Sequence, residues 1–172
     1  MLKLIGAALV LFAGTMIGFA QGARFAERPR QIRHLLHALQ RLETEIGYGQ
    51  TPLPEALQRV AQAIPKPLSA LFAQVASALR SGTGVTVREC WERTFADGWP
   101  STSMRGGERE ALLRLGATLG GSGKEDQLKH VRLAMLQLQA EETAAREEQQ
   151  KYEKLSRSLG VLGAALVVIL ML

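Results

Sequence analysis

From Ile32 onward the apolar residues recur every three or four positions. That spacing is the signature of amphipathic helices. Ile32, Leu35, Leu36, Leu39, Leu42 and Ile46 form one stripe, with Arg33, His37, Gln40, Arg41 and Thr44 off it. Gly47 and Gly49 end that helix. Thr51-Pro52 predicts the next start, with Thr51 as the N-cap and Pro52 in the first position. Its stripe is Leu53, Ala56, Leu57, Val60, Ala61 and Ile64. Pro65 and Pro67 stop that helix and open another, with Leu68, Leu71, Phe72, Val75 and Leu79 on its apolar side. After Gly82-Thr83-Gly84, the spacing of Thr86 and Glu89 predicts a capping box, which turns Val87, Cys90, Trp91 and Phe95 inward. Asp97 to Gly107 reads as the longest loop and Arg109 to Leu119 as a short helix. No stretch alternates apolar and polar residues well enough for a strand.

Both ends of the chain are apolar. Leu4 to Ala20 is interrupted only by Thr15 and, as a helix, rises about 25 Å, slightly short of a hydrocarbon core. Leu159 to Leu172 contains no polar residue and rises about 21 Å. A tail apolar on every side has no stripe for solvent, which disfavours a core helix. The N-terminal run also resembles a secretory signal, with Gly18-Phe19-Ala20 as its small-residue end. Charge weighs against that reading. Arg24, Arg28, Arg30 and Arg33 follow the first apolar run, and Lys151, Lys154 and Arg157 precede the second. Positive flanks stay cytoplasmic, so both clusters place the middle of the chain in the cytoplasm. The organisation expected is an N-terminal transmembrane helix over 1–23, a cytoplasmic bundle over 24–140, a helical stalk over 141–158 and a C-terminal membrane helix over 159–172.

The stretch Leu119 to Gln127, LGGSGKEDQ, has the parts of a phosphate-binding loop but not their order. A Walker A loop requires a glycine five residues before its Gly-Lys and a hydroxyl after the lysine. Thr118 and Glu125 occupy those places here, and no strand precedes the loop. Ser122 and Glu125 have capping-box spacing instead, so the stretch reads as a corner between helices.

Other chemistry is equally unsupported. His34 and His37 share a helix side with arginines around them and no further ligands. Cys90 is the only cysteine, has no histidine near it in sequence, and reads as a small core residue. Glu141, Glu142, Glu147 and Glu148 read as a solvated face, with Arg146 and Lys151 at ion-pair spacing. The formal charge of +5 suggests an anionic partner. Because basic residues cluster only at the apolar ends, that partner reads as a lipid bilayer and not nucleic acid. No cofactor, metal or enzymatic activity is predicted. From Ser122 to Gly160 nothing breaks the last helix. Leu128, Val131, Met135 and Leu138 pack on the domain, and beyond Ala140 the helix is expected to leave it as a stalk.

The segments ERPRQIR, EIGYGQTPLPEAL, IPKPLS, LGATLGGSGKEDQLKH and KYEKLSRSLGVLGAALVVILML strongly resemble the stage III sporulation protein AB family of endospore-forming bacteria. The resemblance runs from end to end. Where the family usually has Ser-Asp after the glycines, this chain has Ser122-Gly123. The resemblance implies an all-α bundle of about six helices, similar to the cytoplasmic domain of type II secretion protein F, flanked by hydrophobic helices. It further implies a structural role in the channel-like complex joining mother cell and forespore, in the mother-cell membrane. The implied partners are the other stage III sporulation A-complex proteins, among them the AA ATPase. Self-association is compatible with it, and contact residues do not follow from it. The alternative, should the N-terminal segment be cleaved, is a tail-anchored extracytoplasmic binding protein.

Overall fold

A computed structural model describes residues 26–48, 51–82 and 84–171, with side chains continuous through Leu155 and none beyond Gly163. Among these residues the chain is all helical: α1 over 26–48, α2 Leu53–Gln62, α3 Leu68–Arg80, α4 Val87–Gly98, α5 Gly106–Gly116 and α6 Lys124–Met171. A short 3-10 turn, Trp99–Ser101, joins α4 to α5. Arg28–Thr143 makes one compact unit, and the chain from Ala144 onward belongs to a second.

The core of the first unit is built from most of the predicted stripes; Ile46, Leu53, Leu79, Val87, Leu128 and Met135, at their margins, are only half-buried. Ile32, Leu35, Leu39 and Leu42 of α1, Leu57 and Val60 of α2, Phe72 and Val75 of α3, and Leu112 of α5 are fully buried. Val131 and Leu138 of α6 join them. An aromatic cluster sits where α3 meets α4. Phe72 stands edge-on to both Trp91 and Phe95, at centroid distances of 5.8 Å. The Trp91 indole N–H donates to the buried Leu112 carbonyl at 2.8 Å, so the ring satisfies its one polar atom while filling the core. Gly116 completes this packing: a Cβ there would overlap the Trp91 indole. Cys90 is buried as well.

Helix boundaries depart from the sequence expectations on both sides of α5 and at the starts of α2 and α6. The Asp97 to Gly107 loop is shorter than predicted, because α4 runs on to Gly98 and α5 begins at Gly106. Two glycines open α5 because Glu108 secures that end, its Oε2 accepting the Arg105 N–H at 2.9 Å. At its other end α5 stops at Gly116 and not at Leu119, which is buried in the following turns.

Thr51 does not cap α2. Pro52 holds the N-cap position, and its carbonyl accepts from Glu55 and Ala56 at 3.0 Å. A cap at Thr51 would need the N–H of Leu53 or of Pro54, and Pro54 has none. The helix therefore starts one residue later. At α4 the Thr86 hydroxyl accepts the Glu89 N–H at 3.3 Å and the Glu89 carboxylate accepts the Thr86 N–H at 3.0 Å. The Thr86 backbone N–H first, and the Thr86 side chain after it, hold the Glu89 carboxyl below the usual carboxylate range.

Candidate functional site

The most buried charges lie where α1, α5 and α6 meet. Arg28, in the first turns of α1, is 6 % exposed, and Glu108 of α5 is 0 % exposed. The Arg28 Nε donates to Glu108 Oε1 at 2.8 Å, and one terminal nitrogen donates to Glu141 Oε2 of α6 at 2.9 Å. Glu108 is thus held twice, by a guanidinium and by the Arg105 backbone N–H. As an acid in the first turn of α5 it also faces the positive end of that helix's dipole. One turn along α1, the buried Gln31 accepts the Ser103 N–H at 2.8 Å, which pins the connection ahead of α5. Further out, Arg33 lies 3.5 Å from Glu142.

This arrangement fixes the geometry of three helices. Burying Glu108 is tolerable only because a cation and a backbone donor replace water around it. Arg suits the role, since its planar fork reaches two carboxylates on two helices with one side chain. Among the described residues no group of three or more histidines, cysteines or carboxylates is placed to hold a metal.

Several residues singled out from the sequence have other roles. Arg28, expected as a cation flanking the membrane, is the centre of the buried clamp, because it continues the core stripe four residues before Ile32. Arg30 and Arg33 are exposed on α1, and Lys151 and Lys154 are exposed on α6. Arg24 and the side chain of Arg157 lie outside the described residues. So does the N-terminal apolar segment, and the apolar tail is described only as helical backbone apart from Gly163. Among the described residues no helix is long and apolar enough to cross a membrane. Glu141 and Glu142, assigned to a solvated stalk face from the sequence, reach back to arginines of α1.

The glycine loop is a corner. Gly120 has φ +78°, a left-handed conformation, and a Cβ there would also overlap Val87. Ser122 does not cap α6. Its hydroxyl donates to the Thr118 carbonyl at 2.8 Å and completes the preceding turn. The cap position falls on Gly123, whose carbonyl accepts the Gln127 N–H at 3.0 Å. Lys124 and Glu125 are exposed first-turn residues.

The comparisons with known proteins agree with one another. Residues 3–172 match the family model described as stage III sporulation protein AB. The chain belongs to that family. A curated member, stage III sporulation protein AB of Bacillus subtilis (strain 168), is 40% identical over 172 residues, spanning 100% of both chains. A solved structure of a stage III sporulation protein AB (SpoIIIAB) superposes with a TM-score of 0.68 at 40% identity. It covers 73% of this chain and 98% of its own. The stage III sporulation protein AB family thus supplies both the sequence and the fold to which this chain is similar, and places it among sporulation proteins.

Sequence reasoning missed Glu108 and Gln31 as site residues. One signal was present: Arg28 and Glu141 both fall on the apolar stripes of their helices, at four residues before Ile32 and three after Leu138. A charge on a core stripe calls for a buried partner.

Proposed function

We propose that this chain is a non-enzymatic membrane scaffold of the stage III sporulation A complex, in the channel assembly between mother cell and forespore. In this reading the apolar segments at 1–23 and 159–172 insert in the mother-cell membrane, with the helical domain in the cytoplasm. The domain connects a cytoplasmic ATPase, the AA protein, to the membrane components. The observation that carries the reading is the match to a sporulation family over essentially the whole chain. The clamp gives it a mechanical basis. Arg28 lies five residues beyond the expected N-terminal membrane segment, and its partner Glu141 lies on the helix that leads to the C-terminal one. One arginine would then tie the domain to both of its connections. The basic residues Arg24, Arg30, Lys151, Lys154 and Arg157 would meet anionic headgroups at the two membrane flanks.

The test is complementation with fractionation. An endospore former lacking its own copy is given this chain with an affinity tag. Restored spore yield, recovery in the membrane fraction and co-purification of the AA protein are expected. Recovery in the soluble fraction, or spores restored with no A-complex protein retained, would overturn the scaffold.

A further inference from the structure

α6 is apolar on two sides. Val131, Ala134 and Leu138 face the core and are buried. On the opposite side Leu133, Leu136, Ala140 and Thr143 fall at i, i+3, i+7 and i+10, the alternating three-four spacing of a coiled-coil seam. All four are exposed, Leu133 by 50% and Leu136 by 63%. Between Arg132 and Glu141 no residue of α6 carries a charge. The Thr143 hydroxyl donates to the Gln139 carbonyl at 3.0 Å, so it brings no unmet donor to this side. The cations that border the stripe are matched within the chain. Arg132 pairs with Glu43 of α1, and Arg114 of α5, which reaches α6 at Gln137, lies 3.6 Å from Glu110. The first stripe of α6 is spent on the core, and the second is uncovered among the described residues.

We propose that this stripe is a self-association seam, on which α6 of a second copy packs in parallel. A contact between identical patches must be complementary to itself. A charged stripe would repel its own copy. This one holds no charge, and the arginines beside it are already paired, so nothing opposes the approach of its twin. In parallel register Leu133, Leu136, Ala140 and Thr143 each meet their own counterpart, with the side chains of one helix set into the gaps of the other. The direction follows from the membrane. Two chains whose C-terminal apolar segments enter one bilayer carry α6 toward it in the same sense. Depletion of charge at the centre of a patch, with Lys129 and Arg132 at its margin, is also the composition of an interface core and rim. The stripe is about 16 Å long, short of the roughly 800 Å² per partner that a free-standing interface buries. Two chains held in one bilayer need less, because confinement raises their effective concentration.

This inference rests on the scaffold reading in one respect, the common bilayer that sets the two helices parallel. It is tested by disulfide crosslinking of the full chain in sporulating cells that lack their own copy. Cys90 is buried, so the unaltered chain gives the background. Leu133→Cys, Leu136→Cys, Ala140→Cys and Thr143→Cys should each form a dimer on non-reducing gels. Gln139→Cys, also exposed but off the seam, should form none above background. Adding Leu136→Glu to the Ala140→Cys chain should abolish its dimer, since two carboxylates would be forced together out of water, and Leu136→Met should retain it. Leu136 is exposed, and circular dichroism of the purified chains checks that helicity is unchanged. Four results would overturn the seam: no dimer, dimers as abundant at Gln139 as on the stripe, crosslinks only to another protein, or a dimer indifferent to Leu136→Glu. Dimers at Leu136 and Ala140 but not at Leu133 and Thr143 would mean an antiparallel pair and overturn it too. If such a result came from cells that still form spores and retain the chain with the A complex, the seam alone would fall. Seam-dependent dimers of a chain recovered in the soluble fraction would instead sink the scaffold and leave the pairing standing.

Discussion

Removing Arg28 should cost more stability than any other single surface-to-core change in the domain. The perturbation is Arg28→Ala. Glu108 has no exposed side-chain surface, so its charge would lose its cation with no water to replace it. Breaking a buried pair from one side costs about 3–5 kcal/mol. The second bond, to Glu141, adds little, because that side chain is 29% exposed and solvent screens it; about 0.5 kcal/mol is appropriate. A domain of this size is stable by about 5–15 kcal/mol, so the change removes a large share. The assay is urea unfolding of the full chain in detergent, followed by tryptophan fluorescence, with Trp91 as a reporter packed in the aromatic cluster. Arg28→Met with Glu108→Gln should recover most of the loss. The amide oxygen can still accept the Arg105 N–H, and no net charge is left buried. Glu141→Gln alone should cost less than about 1 kcal/mol. An Arg28→Ala cost no larger than that of Glu141→Gln, or a double variant as unstable as the single, would refute the clamp.

Three further outcomes follow from the same contacts. Gly116→Ala should destabilise by about 1–3 kcal/mol, since the Trp91 indole that its methyl would strike is fully buried; unfolding midpoints unchanged from wild type would contradict the packing described. Glu89, with its carboxyl held below the ordinary range, contributes stability that is present above the unfolded value and lost as pH falls through the folded one, so the gap between wild type and Glu89→Gln should close on acidification; a gap constant with pH would show that the charge is not what the capping box uses. Lys124→Ala should change stability by less than about 0.5 kcal/mol and leave spore yield intact, whereas saturable ATP binding lost in that variant would restore the phosphate-loop reading.

The helices were legible because their signals are local. Ile32, Leu35, Leu39 and Leu42 repeat at helical spacing and are all buried, and Pro65 and Pro67 bracket a real interruption between α2 and α3. Caps were legible only where the residues ahead supply donors. Thr86 faces an ordinary N–H at Glu89, whereas Thr51 faces a proline. Ser122 and Glu125 had the right spacing, but the serine hydroxyl is engaged one turn back, which spacing cannot show. The clamp lay furthest from reach. Arg28 and Glu108 are 80 residues apart, and a glutamate in a helix's first turn ordinarily reads as a dipole partner in solvent. Arg28 likewise looked like one more positive flank, because charge counting ignores which side of a helix a residue occupies.

The central claim is that α6 must run unbroken from the domain toward the C-terminal apolar segment for the scaffold to work. α6 is continuous over Lys124–Met171. Inserting Gly-Gly-Ser-Gly between Ala144 and Ala145 interrupts it where the first compact unit ends, with Glu141 and Glu142 still placed to reach α1. Heat-resistant spore counts, read beside protein level and membrane recovery, decide the matter. The account predicts normal level, normal membrane recovery and a loss of spores; a normal spore count would mean that a flexible tether serves as well, and would contradict it.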